Sequence, residues 1–179
     1  MLDGLTDRLR GLLFPPAVES FPAPPHAFED EEGRAITVRG FRGGDLDALV
    51  EMYVDFDPAH RAQGTPPIGE EAVREWLDHV LSGPSAVAWH GDRAVGHVTF
   101  VPDGVGRHEL AIFVHQNYQR ARVGSRLIRV GLRHAEAEGV ERVWLTVEPW
   151  KRRAQKLYSD VGFDASNPFG MVTRMSRNL

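Results

Sequence analysis

The sequence predicts one domain of the mixed α/β class, in which helices flank a mixed β-sheet. A chain of 179 residues, 42% of them hydrophobic, can bury one ordinary core. Runs with strand-like alternation and runs with helical spacing follow one another in the order βααβββαβαβ. One helix connects the strands near residues 110 and 145, so we expect a right-handed crossover that makes these two strands parallel.

An N-terminal extension, residues 1–34, precedes this domain, which we assign to residues 35–179. Leucines recur there at helical intervals and predict a short amphipathic helix: Leu2, Leu5, Leu9 and Leu12. Five of the twelve prolines follow within residues 14–25, and an acidic run ends the extension. We expect the helix to pack on the domain or on a partner chain rather than on a membrane, because its charge is mixed.

The first half of the domain combines a strand, two helices and a hairpin. Residues 36–41 alternate as a strand, and the helix after them begins behind Asp45, a favourable N-cap residue. A proline-rich loop over residues 57–69 leads to a second helix over residues 70–81. Two strand-like runs then surround residues 90–93, which have the composition of a tight hairpin turn.

The second half alternates strands and helices. Residues 108–114 and 142–147 are strand-like, and the helix between them is expected to stop near Gly139. A second helix is predicted to end at Gly162, and a final strand is predicted over residues 171–175.

Composition excludes several kinds of chemistry. The chain has no cysteine, which rules out disulfides, thiolate nucleophiles and Cys-based zinc sites. The eight histidines show no close-spaced ligand pattern, so we expect no metal site. No run approaches the roughly 18 apolar residues of a membrane span, and charged residues interrupt the N-terminus where a signal peptide needs an apolar core. We therefore expect a cytoplasmic protein that does not associate with membranes.

Basic residues are concentrated in one part of the chain. Residues 116–156 contain ten Arg and Lys against four Glu, although the whole chain has a net charge of −4. A locally basic segment in an acidic protein favours a small polyanionic ligand over a nucleic-acid partner.

Two motifs in this segment carry a family resemblance. The run VHQNYQRARVGS at residues 114–125 links a strand to a helix, where free backbone N–H groups and the helix dipole suit a phosphate. The run AQKLYSDVGF follows at residues 154–163. Together they resemble the GNAT superfamily of acyl-CoA-dependent N-acyltransferases, over roughly residues 35–176. The resemblance implies a twisted mixed sheet with helices on both faces, acetyl-CoA as cosubstrate, a primary amine as acceptor, and a possible homodimer.

The resemblance also implies a set of cofactor-binding residues: Phe113, Val114, Gln119, Arg120, Ala121, Arg122, Val123, Gly124, Ser125 and Lys151. A backbone N–H near Phe113 or Val114 is expected to bind the developing oxyanion. Position 120 is often glycine in the family and position 122 is usually glycine. We expect the amide cradle to survive with arginine there, and the guanidinium to add positive charge to it. A Cβ at position 122 costs little if the backbone there is helical, with a negative φ; ordinary solvated arginines at a helix start are the alternative. Lys151 stands where asparagine is frequent, and either meets the nucleotide phosphates or belongs to a solvated surface.

The implied reaction is direct attack of the amine on the thioester, without a covalent enzyme intermediate. Tyr158 matches the family's general acid, with a core tyrosine as the alternative. Glu109 matches a carboxylate that serves as the base, with an exposed edge glutamate as the alternative. Strand alternation turns the neighbouring His108 to the opposite face.

Acceptor specificity is expected from the first two helices and their loop. The candidates are Glu51, Tyr53, Asp55, Phe56, Asp57, His60 and Arg61. Their carboxylates would suit a cationic amine, or they form a solvated helix face. Two other functions stay open: a catalytically inactive CoA-binding regulatory or structural module, and a nucleic-acid-binding domain that uses the arginines of residues 120–133.

Overall fold

The computed structural model describes residues 15–61, 64–166 and 172–179. The predicted helix in residues 1–13 lies outside this range. The strands are β1 (His26–Glu29), β2 (Ala35–Gly40), β3 (Ser85–His90), β4 (Arg93–Pro102), β5 (His108–Val114), β6 (Arg142–Val147), β7 (Asp164–Ala165) and β8 (Thr173–Asn178). The helices are α1 (Leu46–Val54), α2 (Glu70–Val80), α3 (Val123–Ala137) and α4 (Arg152–Ser159).

The described strands form one eight-stranded sheet in the order β1-β2-β3-β4-β5-β6-β8-β7. Its neighbours are antiparallel except for β5 and β6, which are parallel and are connected through α3. This arrangement confirms the predicted mixed α/β class and the parallel crossover.

Helices cover both faces of the sheet, as predicted. Against one face, α3 buries Leu127 and Ile128 over Val98 and Val143, and α4 packs at the edge of the same cluster. Against the other face, α1 and α2 bury Tyr53 and Leu77. No described residue of β6, β7 or β8 belongs to this second cluster. The far half of that face is therefore not covered by a described helix.

A glycine sets the distance between α3 and the sheet. A Cβ added to Gly131 would lie 2.5 Å from the Cγ1 atom of Val98 on β4. Valine is branched at Cβ and has little freedom to move aside. The bare helix backbone at Gly131 therefore brings α3 into direct contact with the strand.

Residues 15–34 contribute more to the domain than the sequence indicated. The unpredicted strand β1 pairs with β2 at the edge of the sheet, so the boundary predicted at residue 35 falls inside a hairpin. Val18 and Phe21 are buried in the core under α3. Arg177 of β8 donates a hydrogen bond to the backbone oxygen of Pro16 at 2.6 Å and another to that of Val161. The N-terminal segment is thus fastened to the last strand of the chain.

Several predicted details need correction. The last strand is Thr173–Asn178 instead of residues 171–175, and the short strand β7 was not predicted. The helix α4 ends at Ser159, three residues before Gly162, because the chain turns there into β7. Asp45 precedes α1 as expected but does not cap it; its carboxylate accepts hydrogen bonds from the Arg39 side chain and from the Arg42 backbone. Among the described residues, no helix has the length and apolarity to cross a membrane.

Candidate functional site

The candidate site lies where β5 and β6 separate. Their parallel pairing is limited to two positions, His108 with Val143 and Glu109 with Trp144. On its other side, β5 pairs with β4 along its whole length, from His108 to Val114. The C-terminal half of β5 therefore has one edge that β6 does not cover.

The alternation of the β4–β5 ladder shows which backbone groups face this gap. The His115 N–H donates to the Val95 oxygen on β4 at 2.9 Å, so the N–H groups of alternate residues before it, including Phe113, also point to β4. The N–H groups of Ile112 and Val114 point the other way. Of the two positions expected to bind an oxyanion, Val114 is the one whose N–H faces the gap.

The loop after β5 contains two arginines in the left-handed backbone region. The φ angle is +61° at Arg120 and +65° at Arg122. The backbone at Arg122 is therefore not the helical one, with a negative φ, in which a Cβ would cost little. The chain reverses at this residue to enter α3, a turn that glycine adopts without strain and that costs other residues about 1 kcal/mol.

The first turn of α3 offers unpaired backbone N–H groups. The first helical bond runs from the Arg126 N–H to the Arg122 oxygen at 3.2 Å, which leaves the amides of Val123, Gly124 and Ser125 without a helical partner. No side chain caps the helix, since Arg122 occupies the N-cap position and the Ser125 hydroxyl donates to the Arg122 oxygen. Together with the helix dipole, these amides form a cradle that suits an anion.

The turn between β1 and β2 supports this loop. The Glu31 N–H donates to the Ala121 oxygen at 3.3 Å, and the Glu31 carboxylate forms an ion pair with Arg122. Arg34 donates to the Asn117 oxygen at 2.8 Å, and its guanidinium lies 4.2 Å from the centre of the Tyr118 ring. Neither Glu31 nor Arg34 was predicted to contact this loop, because nothing in the local pattern of residues 29–34 indicates a contact with residues more than 80 positions away.

Tyr158 lies on α4 and packs against the core beside Phe163, with ring centroids 6.0 Å apart. Burial, assisted by the negative charge of Glu148, raises the pKa of Tyr158 to about 12. The hydroxyl has no hydrogen-bond partner among the described residues and is protonated at neutral pH. Lys151, at the start of the same helix, lies 3.3 Å from the Glu148 carboxylate. The positive charge of Lys151 is thus partly neutralised by Glu148.

Glu109 lies on the sheet face covered by α1 and α2, and its side chain is exposed. Desolvation raises the pKa of Glu109 and Asp103 adds to the effect, while Arg174 and His79 oppose it. His108 projects to the opposite face, as predicted from strand alternation, and its Nδ1 atom is buried. Of these two neighbouring residues, Glu109 is therefore the one whose side chain lies on the face of α1 and α2.

Most of the predicted acceptor residues have structural partners. Asp55 accepts from the buried His115 Nε2 and from Arg93, each at 2.9 Å. Arg61 donates to the backbone oxygens of Pro66 and Gly64, and Asp57 caps the turn that contains His60. The Asp55–His115 contact, with a further hydrogen bond from the Asp57 N–H to the Gln116 side chain at 3.1 Å, fastens the end of α1 and the following loop to the segment after β5.

The aromatic candidates are buried instead of facing a ligand. The Tyr53 hydroxyl lies 2.7 Å from the Nδ1 atom of His97, and Phe56 is 7% exposed. Burial lowers the pKa of His97 to about 3, so this histidine is neutral in the folded protein. Glu51 remains on the surface, in a cavity of about 820 Å³ whose other charged residues form ion pairs with each other or are solvated. Of the predicted set, Glu51 is the residue that has no partner among the described residues.

Comparisons with known proteins agree with this architecture. The model of the "Acetyltransferase (GNAT) family" matches residues 46–163. The GNAT domain of S. lividans PAT is 21% identical, with a TM-score of 0.72 over 89% of this chain and 100% of that one. Ribosomal-protein-alanine N-acetyltransferase from Brucella melitensis is 20% identical, with a TM-score of 0.64 over 79% and 99%. The structure of yncA from Salmonella typhimurium with its cofactor acetyl-CoA is 20% identical, with a TM-score of 0.65 over 80% and 94%. Among curated proteins, none matches the sequence.

The positive φ at Arg122 leads to a prediction about stability. We expect Arg122→Gly to have a free energy of unfolding about 1 kcal/mol higher than Arg122→Ala, because only glycine adopts this backbone without strain. Both variants lose the ion pair with Glu31, so their difference isolates the backbone. Urea denaturation measures it. Equal stability of the two variants would show that residue 122 does not hold a left-handed conformation in solution.

Proposed function

Because the chain belongs to the GNAT family of acetyltransferases, we propose that it transfers the acetyl group of acetyl-CoA to a primary amine by direct attack. One observation carries the proposal. The uncapped N-terminus of α3 lies beside the end of β5, the strand whose edge is released from β6, since a Cβ added to Gly124 would lie 3.5 Å from the Cγ2 atom of Val114. A phosphate-binding end and a row of free strand N–H groups are thus continuous, as an extended ligand with a diphosphate requires.

The residues of the loop fit the chemistry of CoA. We propose that the amides of Val123, Gly124 and Ser125 bind the diphosphate, with Arg120 and Arg122 adding positive charge. Gln119 and Ala121 shape the loop, since the Gln119 amide donates to the Val114 oxygen at 2.9 Å and Ala121 is buried. Phe113 fixes the strand through three aromatic neighbours, and Lys151 contributes a cation beside α4.

The proposed reaction assigns one proton to each end of the site. The amine nitrogen loses its proton to Glu109, directly or through water, and forms a bond with the acetyl carbonyl carbon. The N–H of Val114 stabilises the negative charge that develops on the carbonyl oxygen. As the carbon–sulfur bond breaks, the sulfur takes a proton from Tyr158. The products are the N-acetylated amine and free CoA.

The acid–base properties of Tyr158 and Glu109 suit these roles. Tyr158 stays protonated because of its raised pKa, and its hydroxyl is free to donate. The raised pKa of Glu109 makes this carboxylate a stronger base than an ordinary glutamate.

A catalytically inactive CoA-binding module is the alternative, and one contact favours it. The Glu31 carboxylate already pairs with Arg122, at the place where the diphosphate is proposed to bind. If this ion pair persists when CoA binds, it displaces the diphosphate, and the thioester then lies away from Glu109 and Tyr158.

Calorimetry with acetyl-CoA tests the proposal. We expect a dissociation constant that is roughly micromolar. At low salt the affinity of Arg122→Gln should be lower by up to roughly fivefold, because this variant keeps the Cβ and loses the charge. Dephospho-CoA, titrated in parallel, separates the diphosphate from the 3′-phosphate. Absence of binding would reject both the enzyme and the inactive module. If acetyl-CoA binds but no amine causes the release of free CoA thiol, the result would favour the inactive module.

A second prediction concerns Tyr158. We expect Tyr158→Phe to lower turnover by roughly 10²- to 10⁴-fold, the range for a lost general acid, while acetyl-CoA affinity changes little. Tyr118→Phe is the matched control, since it removes a hydroxyl that bonds His90 at 2.8 Å on the other side of the loop. Thiol release reports the rate. An undiminished rate in Tyr158→Phe would remove this residue from the mechanism.

A third prediction concerns pH. Glu109 acts as a base only when deprotonated, so kcat/KM should fall as the pH drops through its pKa, at a pH above that of an ordinary glutamate. This fall is the acidic limb of the pH profile. Arg174 lowers the pKa of Glu109, so its removal in Arg174→Gln should move the acidic limb to still higher pH. Glu109→Gln should abolish the limb. A limb that persists in Glu109→Gln belongs to another group and would exclude Glu109 as the base.

A further inference from the structure

A positively charged cleft lies on the sheet face that α1 and α2 leave uncovered. We call it the basic cleft; it has a volume of about 380 Å³, and its lining includes Arg107, Arg142, Trp144, Ser166, Arg174, Ser176 and Arg177. One of these residues, Arg174, also lowers the pKa of Glu109.

Two of the four arginines that line the basic cleft have no ion pair and no side-chain hydrogen bond among the described residues. Arg107 pairs with Asp103 at 2.9 Å. Arg142 and Arg174 have neither an ion pair nor a side-chain hydrogen bond to any described residue. Arg177 donates to the backbone oxygens of Pro16 and Val161, and Arg174 acts on the Glu109 carboxylate without a hydrogen bond or ion pair. The guanidinium donors of Arg142 and Arg174 are therefore available to an anion.

Trp144 holds one of these arginines in place. The guanidinium carbon of Arg174 lies 4.1 Å from the centre of the Trp144 ring. The indole N–H of Trp144 donates to Asp103 at 3.2 Å. Although desolvation alone would raise the pKa of Asp103, hydrogen bonds from Val105 and Arg107 lower it to about 2, so this anchor stays charged. Arg174 therefore has an oriented planar donor surface before any ligand arrives.

The basic cleft is on the same face as the proposed base. Glu109 is opposite Trp144 on β6, and Trp144 is opposite Ser176 on β8. The three residues form one row across the sheet, and strand spacing places Ser176 roughly 10 Å from Glu109. An acceptor held at Glu109 can therefore reach the basic cleft across two strands.

We propose that the basic cleft binds an acidic side chain of a peptide acceptor, whose amino group lies at Glu109. This inference rests on the proposed acetyl transfer. A separation of roughly 10 Å corresponds to about three residues of extended chain. The preferred acceptor is thus a peptide with Asp or Glu about three residues from the amino group that receives the acetyl.

This assignment reverses the expectation drawn from the acidic residues of the first helices. Asp55 and Asp57 are engaged in hydrogen bonds within the protein, and the carboxylates around α1 line a separate cavity. The unbalanced charge beside Glu109 is positive. Charge complementarity therefore favours an acidic acceptor over a polycationic one.

A peptide series tests the proposal. Peptides of one sequence carry Glu, Gln or Lys three residues from a single amino group, and kcat/KM is measured for each at a pH well above the pKa of Glu109. We expect the Glu peptide to exceed the Gln peptide by roughly fivefold per arginine engaged, with the Lys peptide lowest. The preference should shrink at high salt, since these side chains are partly exposed.

Variants of the protein assign the effect to the basic cleft. Arg174→Gln and Arg142→Gln should each reduce the ratio between the Glu and Gln peptides, and Arg174→Glu should invert the order in favour of the Lys peptide. Arg133→Gln is the matched control, because Arg133 pairs with Glu136 on α3 at the opposite face of the sheet. It should leave the ratio unchanged. Equal rates for the three peptides, or an equal loss of preference in the control, would overturn the proposal.

A binding measurement separates this proposal from the proposed function. If no peptide is acetylated, calorimetry of the same three peptides with the protein still tests the basic cleft. Tighter binding of the Glu peptide that is lost in Arg174→Gln would uphold the cleft while acetyl transfer fails. Failure to distinguish the peptides would reject the cleft whether or not the protein is an enzyme.

Discussion

The unequal hydrogen bonding of β5 is the constraint on which the rest of the structure depends. One edge of the strand is paired with β4 over seven residues, whereas the other is paired with β6 at only two. A strand released on one side must be held by its side chains, and Phe113 provides this through edge contacts with Tyr53, Phe56 and Trp76. The aromatic cluster under α1 and α2 thereby keeps the free edge in place, and the loop that begins α3 follows directly from its end.

The two faces of the sheet differ because the helices are distributed unequally over them. On the α3 face, the close contact at Gly131 and Val98 fixes the direction of the helix whose N-terminus forms the anion cradle. On the other face, α1 and α2 cover the sheet as far as β5 and leave Trp144 and Arg174 uncovered. The region proposed to bind phosphate groups and the region proposed to bind an acceptor therefore lie on different faces, with β5 between them.

How much the sequence could predict depended on the range of the interactions. Strands β5 and β6 were predicted at their observed bounds, since their alternation is strong and local. The short strand β1 escaped prediction, because its pairing with β2 is what stabilises it. The contact of Asp55 with His115 joins residues 60 positions apart, and no local signal marks either partner. The sequence left the sign of the φ angle at Arg122 open, because the turn into α3 decides it and the residue type does not.

The support of the loop by the turn between β1 and β2 has a consequence for the use of motifs. The family match begins at residue 46, whereas Glu31 and Arg34, which hold the loop from outside, precede it. A rule such as glycine at position 122 is therefore not a property of the motif alone. Which residue is tolerated at this position also depends on the contacts that residues outside the motif make with the loop. Transplanting this loop into a relative without residues 26–34 would carry over two strained arginines and leave behind the contacts that hold them.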